Sequence, residues 1–151
     1  MGALEKAFHA KGITLTQRGR ILDKVFSKIS SDVVAVGIFD PENAKKAKYN
    51  EYGTSTIPAR PFLTTALETN KREIAKKTRK LAMKSLLPFA NVDAAEAELG
   101  EELAEMVKDS IRNGPWVPNA PSTIAKKGRN QPLIDTGEML DSVTYKITTR
   151  S

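Results

Sequence analysis

Apolar residues recur at three- and four-residue steps along most of this chain, and at two-residue steps only near its end. The first spacing lines one face of a helix, and the second lines one face of a strand. Leu4, Ala7 and Phe8 predict a helix over 3–11; Ile21, Leu22, Val25, Phe26 and Ile29 predict another over 17–30. "DVVAVGIFD" is a β-branched run bounded by Asp32 and Asp40-Pro41. It predicts a central strand buried on both faces, with Gly37 admitting a neighbouring backbone. Pro41 near a helix start and Gly53 at a C-terminal cap bound a short helix over 42–52.

In "STIPARPFL", Pro58 and Pro61 bracket Ala59 and Arg60 and predict a stiff, extended connector. Pro61 then stands at the first turn of a long helix over 61–84, whose stripe Leu63, Leu67, Ile74 and Leu81 is interrupted by Asn70 and Thr78. After "SLLPFANVD", Asn91 or Asp93 caps a helix reaching 113, with Leu99, Leu103, Met106, Val107 and Ile111 inward and Asn113-Gly114 as the stop. Gly100 within it costs about 1 kcal/mol relative to Ala.

From Pro115 to Pro132 runs a Pro-rich stretch holding Trp116 and the basic residues Lys126, Lys127 and Arg129. Connections of that length are usually functional or mobile; Ser122 as N-cap and Gly128 as stop predict a single turn inside it. In the final "SVTYKIT", Val143, Tyr145 and Ile147 alternate with Thr144, Lys146 and Thr148, the pattern of a half-wet strand. These elements predict one α+β domain over 1–151: a small antiparallel or mixed sheet on long helices, with an extended arm over 114–132. The other segments are helical over 1–30, strand plus two long helices over 31–113, and a turn and strand over 133–151.

A hydrophobic content of 40% with 28% charged residues is ordinary for a soluble domain. The longest apolar run, "VVAVGIF", is too short to span a bilayer, and the N-terminus lacks a signal-peptide core, so a cytoplasm-like compartment is expected and no membrane partner. With no cysteine and one histidine, His9, read as a helix-surface residue, disulfides, thiolate zinc sites and cysteine nucleophiles are excluded. The net charge of +6 favours acidic partners. It is also segregated: Lys71, Arg72, Lys76, Lys77, Arg79, Lys80 and Lys84 precede Asp93, Glu96, Glu98, Glu101, Glu102, Glu105 and Asp109. Such segments fit antiparallel partners in one subunit, complementary faces between subunits, or two solvated faces.

Asp135-Thr136-Gly137, behind two apolar residues, is similar to the catalytic turn of an aspartic protease. That chemistry needs two carboxylates sharing a proton, which a homodimer could supply. In that family, however, the cleft-forming strands follow the motif, and a small residue, not Glu138, stands next. Here only fourteen residues (151 − 137) remain after Gly137. Asp135 and Glu138 instead fit a capping box that orients a turn before the last strand. Phosphate loops, dinucleotide fingerprints and His-Glu-x-x-His are absent from the sequence, and no enzyme activity, cofactor or small-molecule substrate is expected.

"YNEYGTSTIPARPFL" at 49–63 and "PSTIAKKGRNQPLIDTGEMLDSVTYKI" at 121–147 together resemble the tail-completion and neck proteins of tailed bacteriophages and prophages, of the virion-morphogenesis and putative tail-component type. Tyr49, Asn50, Glu51, Tyr52, Gly53, Pro58, Arg60, Pro61 and Phe62 carry the first motif. Leu133, Asp135, Thr136, Gly137, Leu140, Ser142 and Tyr145 carry the second. The resemblance implies a structural virion protein: a homo-oligomeric ring joining head connector or adaptor to tail tube or terminator, assembled in the host cytoplasm, with genomic DNA passing through without sequence specificity. Candidate interface residues are Trp116, Lys126, Lys127, Arg129, Arg60 and Glu51; candidate structural residues are Gly53, Pro58, Pro61, Asp135, Gly137 and Glu138. Trp116 reads either as an inter-subunit anchor or as a lid on its own core. Arg60 reads either as a partner of Glu51 or as solvated, while Tyr52 and Phe62 read as core. The rival class is a nucleic-acid-binding protein using the basic helix over 71–84, which has no aromatic residues interleaved for stacking.

Overall fold

The computed structural model describes residues 2–150. Eight helices and two strands follow in the order α1 (Ala3–Ala10), α2 (Leu15–Ser31), β1 (Asp32–Ile38), α3 (Pro41–Tyr52), α4 (Phe62–Thr69), α5 (Lys71–Ser85), α6 (Val92–Asn113), α7 (Pro121–Lys127), α8 (Glu138–Asp141) and β2 (Val143–Thr149). The fold is α+β, as the periodicity predicts, with β1 and β2 paired antiparallel from Asp32↔Thr149 to Ile38↔Val143.

β1 is neither central nor buried on both faces. The sheet has two strands, so each has a free edge, and along β1 only Gly37 is fully buried. Nothing lies within 4 Å of a Cβ built on Gly37, so no backbone approaches there. One face of the ladder rests on α6; Val36, Ile38 and Val143 join a core built from Phe62, Ala66, Ala104, Val107, Ile111, Leu133 and Met139. Val107 is fully buried at its centre. Burial fades toward the end of β2, where Ile147 is exposed.

The helix expected over 61–84 is two helices. Asn70 leaves helical geometry at φ −95° and ψ 9°, and its side-chain amide donates to the Ala66 carbonyl at 2.8 Å, an alternative to continuing the helix. α4 buries Phe62 and Ala66 where the sequence suggested Leu63 and Leu67, while α5 sets Leu81 near Ala95 and Leu99 of α6 and buries Ser85. The opposite charges of α5 and α6 meet within the chain as antiparallel partners: Lys77 lies 2.7 Å from Glu102 and Lys84 lies 3.5 Å from Glu98.

Capping follows local chemistry in most places. Thr14 and Gln17 form a capping box at α2, Asp40 accepts from the Asn43 amide at α3, and Asn91, not Asp93, caps α6. At α7 the N-cap position is Ala120 and Pro121 occupies the first turn, so Ser122 does not cap; Gly128 ends the helix at φ +69°, as expected.

Gly100 makes α6 fit the sheet. A Cβ there would sit 2.3 Å from Cδ2 of Tyr145, so the aromatic ring of β2 lies directly on the helix backbone. The same residue that weakens the helix in isolation permits the contact that holds the ladder. Gly100→Ala is therefore expected to destabilise the protein by about 1–3 kcal/mol, despite its better helix propensity. In a Tyr145→Ala background the same change should be neutral or stabilising. Urea unfolding of the four proteins checks this, and equal effects in both backgrounds would remove the packing explanation.

Candidate functional site

The two motif-bearing stretches converge on one polar cleft. Asn50 and Arg60 from the first, and Leu133, Asp135, Thr136 and Gly137 from the second, line a cavity of about 250 Å³ with Asn43, Lys46, Asn119 and Lys127. Its walls are α3, the connector 53–61, the Pro-rich stretch and the loop before α8.

The connector begins as a compact turn. Thr54 N–H donates to the Ile57 carbonyl at 2.8 Å, and the Thr54 hydroxyl accepts from the Thr56 and Ile57 amides. Gly53 permits this: its φ is +73°, and a Cβ would lie 2.8 Å from the Ala59 nitrogen. From Pro58 the chain is extended, and Pro61 sits at φ −74° and ψ 67° in an inverse γ-turn closed by Phe62 N–H donating to the Arg60 carbonyl at 2.7 Å.

Glu51 and Arg60 do not pair. Glu51, 8% exposed, accepts from the Leu63 amide at 2.9 Å, the Thr64 amide at 3.0 Å and the Thr64 hydroxyl. Pro61 has no side-chain acceptor for the start of α4, so a carboxylate from α3 caps it across the fold. Arg60, 6% exposed, points the other way and donates from Nε to the Val117 carbonyl at 2.9 Å and from Nη2 to the Pro118 carbonyl at 3.2 Å. Burial pushes its guanidinium below the usual range, and carbonyl oxygens, not a carboxylate, satisfy its donors.

Arg60 thus holds the Pro-rich stretch against the body. Trp116 packs on the chain's own core, with its indole N–H donating to the Ser110 carbonyl at 2.8 Å. A Cβ on Gly114 would lie 2.3 Å from this indole, so the fold-back needs that glycine. Lys127 Nζ reaches the Ile134 carbonyl at 3.1 Å, and Arg129 Nη2 the Asp135 carbonyl at 2.9 Å. Two of the three basic residues therefore tie the returning chain down, while Lys126 is exposed.

The capping box expected at Asp135 is absent. The N-cap position of α8 is Gly137, at φ +93°, and Glu138 is already helical. The Thr136 hydroxyl accepts from Glu138 N–H at 3.4 Å, and the Asp135 carboxylate is 75% exposed, 3.8 Å from Lys127. Leu133 also has a positive φ of +67° yet is buried; together with Gly137 it makes the loop double back under the cleft. Tyr52, expected in the core, is 77% exposed, whereas Phe62 is buried as expected. His9 is exposed on α1. Among the described residues, no group of three or more acidic, histidine or cysteine side chains is placed to hold a metal, and no helix is long and apolar enough to cross a membrane.

A second polar cluster went unread in the sequence. Lys28 Nζ, on α2, lies 2.6 Å from Asp32, 2.9 Å from Asp93 and 4.0 Å from Glu96, joining three elements. Glu96 is buried and its Oε2 has no hydrogen-bond partner. Burial, and then Asp32, push its carboxyl above the ordinary range, while the Lys28 hydrogen bond holds Asp32 below it. The i,i+4 spacing of Lys28 and Asp32 was a visible signal; Glu96 sat inside a helix that reads as uniformly acidic.

Removing the Glu51 carboxylate in Glu51→Ala should cost about 1–3 kcal/mol in urea unfolding, since it leaves two amides and a hydroxyl unpaired. The exposed Glu42→Ala should have little effect. The Lys28 cluster gives a pH dependence of definite sign. Glu96 has a raised folded value, so the native state holds its proton more tightly and stability falls as pH rises above the ordinary 4.5. Glu96→Gln should raise the Tm at neutral pH, and the gain should vanish below 4.5. Asp32 has a lowered folded value, so its contribution is present above the ordinary 3.8 and is lost as pH falls through the folded value; Asp32→Asn should lower the Tm at neutral pH.

Neither a protein family, nor a curated protein, nor a solved structure matches this chain.

Proposed function

We propose that this protein is a structural component of a tailed phage or prophage virion, forming a homo-oligomeric ring in the neck or at the head-proximal end of the tail. The observation that carries the reading is the convergence of its two motif-bearing stretches. Separated in the chain by residues 64–120, they line one cleft, and Glu51, Arg60, Lys127 and Arg129 fix the backbone around it. Those residues support backbone geometry: they cap, clamp and anchor.

The surface supports the same reading. Tyr52 and Val117 are exposed large apolar side chains close in sequence to the clamped segments, and both strands of the sheet have an open edge. A subunit with unlike neighbours on its two sides needs such surface. The role is geometric, joining the connector or adaptor to the tube or terminator around a channel for DNA, without catalysis.

Negative-stain imaging of the purified protein, and of virions carrying a C-terminal label on it, tests the proposal. Ring-shaped particles and label at the neck are the expected results. A protein that stays monomeric at all concentrations and is missing from virions would overturn it.

A further inference from the structure

Charge on this molecule is largely neutralised where helices meet, and on one surface it is not. α5 carries Lys71, Arg72, Lys76, Lys77, Arg79, Lys80 and Lys84 against a single carboxylate, Glu73. Lys77 and Lys84 face α6 and pair with Glu102 and Glu98, and Glu73 lies 3.9 Å from Lys77. Arg72, Lys76 and Arg79 fall at i, i+4 and i+7 on the opposite face and are exposed, whereas Lys80 lines the groove between α5 and α6 with Lys77, Lys84, Glu98 and Glu102. Among the described residues, no carboxylate forms an ion pair with any of these three.

We infer that this outward face of α5 is a sequence-independent contact for the phosphate backbone of double-stranded DNA. The inference rests on the ring reading for the source of the duplex and on α5 alone for the binding. Arg72 to Arg79 covers about 10 Å of helix axis, and a duplex presents about six charges over that length. A protein partner would call for a desolvated apolar centre, whereas the apolar Met83 lies at the end of this face. A single strand would call for stacking aromatics, and α5 has none. Phosphate contacts need neither, because cations alone position a backbone. The acidic α6 holds the inner flank of α5, so the stripe is presented on a braced helix.

Binding of the full chain to a duplex of about 30 base pairs, titrated from about 50 to 200 mM salt, tests this. Three phosphate contacts predict a log–log slope of about −3. The variant R72Q/K76Q/R79Q keeps helix propensity and should lose at least tenfold in affinity at the lowest salt, with the slope reduced by about 2 to 3. The charge-matched variant K6Q/K11Q/K24Q should change affinity less than twofold. Circular dichroism confirms that both variants remain folded. Equal losses in the two variants, no binding by the parent chain at about 50 mM salt, preference for single strands, or equal competition by polyglutamate would each overturn the inference. A monomeric protein absent from virions that still binds duplex through α5 would remove the ring and leave this contact standing.

Discussion

A two-stranded antiparallel ladder does not hold itself together in water, and here the constraint that solves this is the direct seating of Tyr145 on the backbone of α6 at Gly100. That contact sets the distance between helix and sheet. With it set, Val107 and Ile111 can fill the space beneath Val36, Ile38 and Val143, and Phe62 and Ala66 of α4 close the other side. The opposite flank of α6 carries the acidic side chains that pair with α5. One helix therefore supports the sheet, both halves of the broken helix pair and the root of the Pro-rich stretch.

The polar interactions at the cleft repeat one device. Chain segments that cannot supply their own hydrogen-bond partners receive them from far along the sequence. Pro61 leaves α4 without a local cap, and Glu51 supplies one; the prolines after Trp116 leave carbonyls free, and Arg60 takes them. Buried groups of this kind are costly to leave unpaired, which makes the arrangement rigid. A Pro-rich stretch whose length suggests a functional or mobile connection is in this way clamped at Trp116, at Arg60 and at Lys127 and Arg129. The ring reading draws on that rigidity, since a joint between stacked assemblies needs surfaces of fixed shape.

Element types and most boundaries were legible in the sequence because local rules govern them. The helical stripe of Leu99, Leu103, Val107 and Ile111, the stop at Gly128 and the C-terminal cap at Gly53 each depend on neighbours within a few residues. Partnerships were not legible. The pairing of Glu51 with Arg60 was reasonable from nine residues' separation, yet the carboxylate goes to amides at 63 and 64 and the guanidinium to carbonyls at 117 and 118. The β-branched run of β1 reads as a strand buried on both sides, but a sheet of two strands with helices on one face leaves it half-covered.

By itself the sequence determined the α+β class, the opposed charges of α5 and α6 and the two motif-bearing stretches, since spacing, propensity and composition are properties of neighbours in the chain. The tertiary structure decided that Asn70 breaks one helix into two, that Gly100 is a seat for Tyr145, and that the Asp-Thr-Gly turn closes a cleft with α3 and the connector. Each of these depends on which surfaces meet, and that is settled only when long-range packing outweighs local preference.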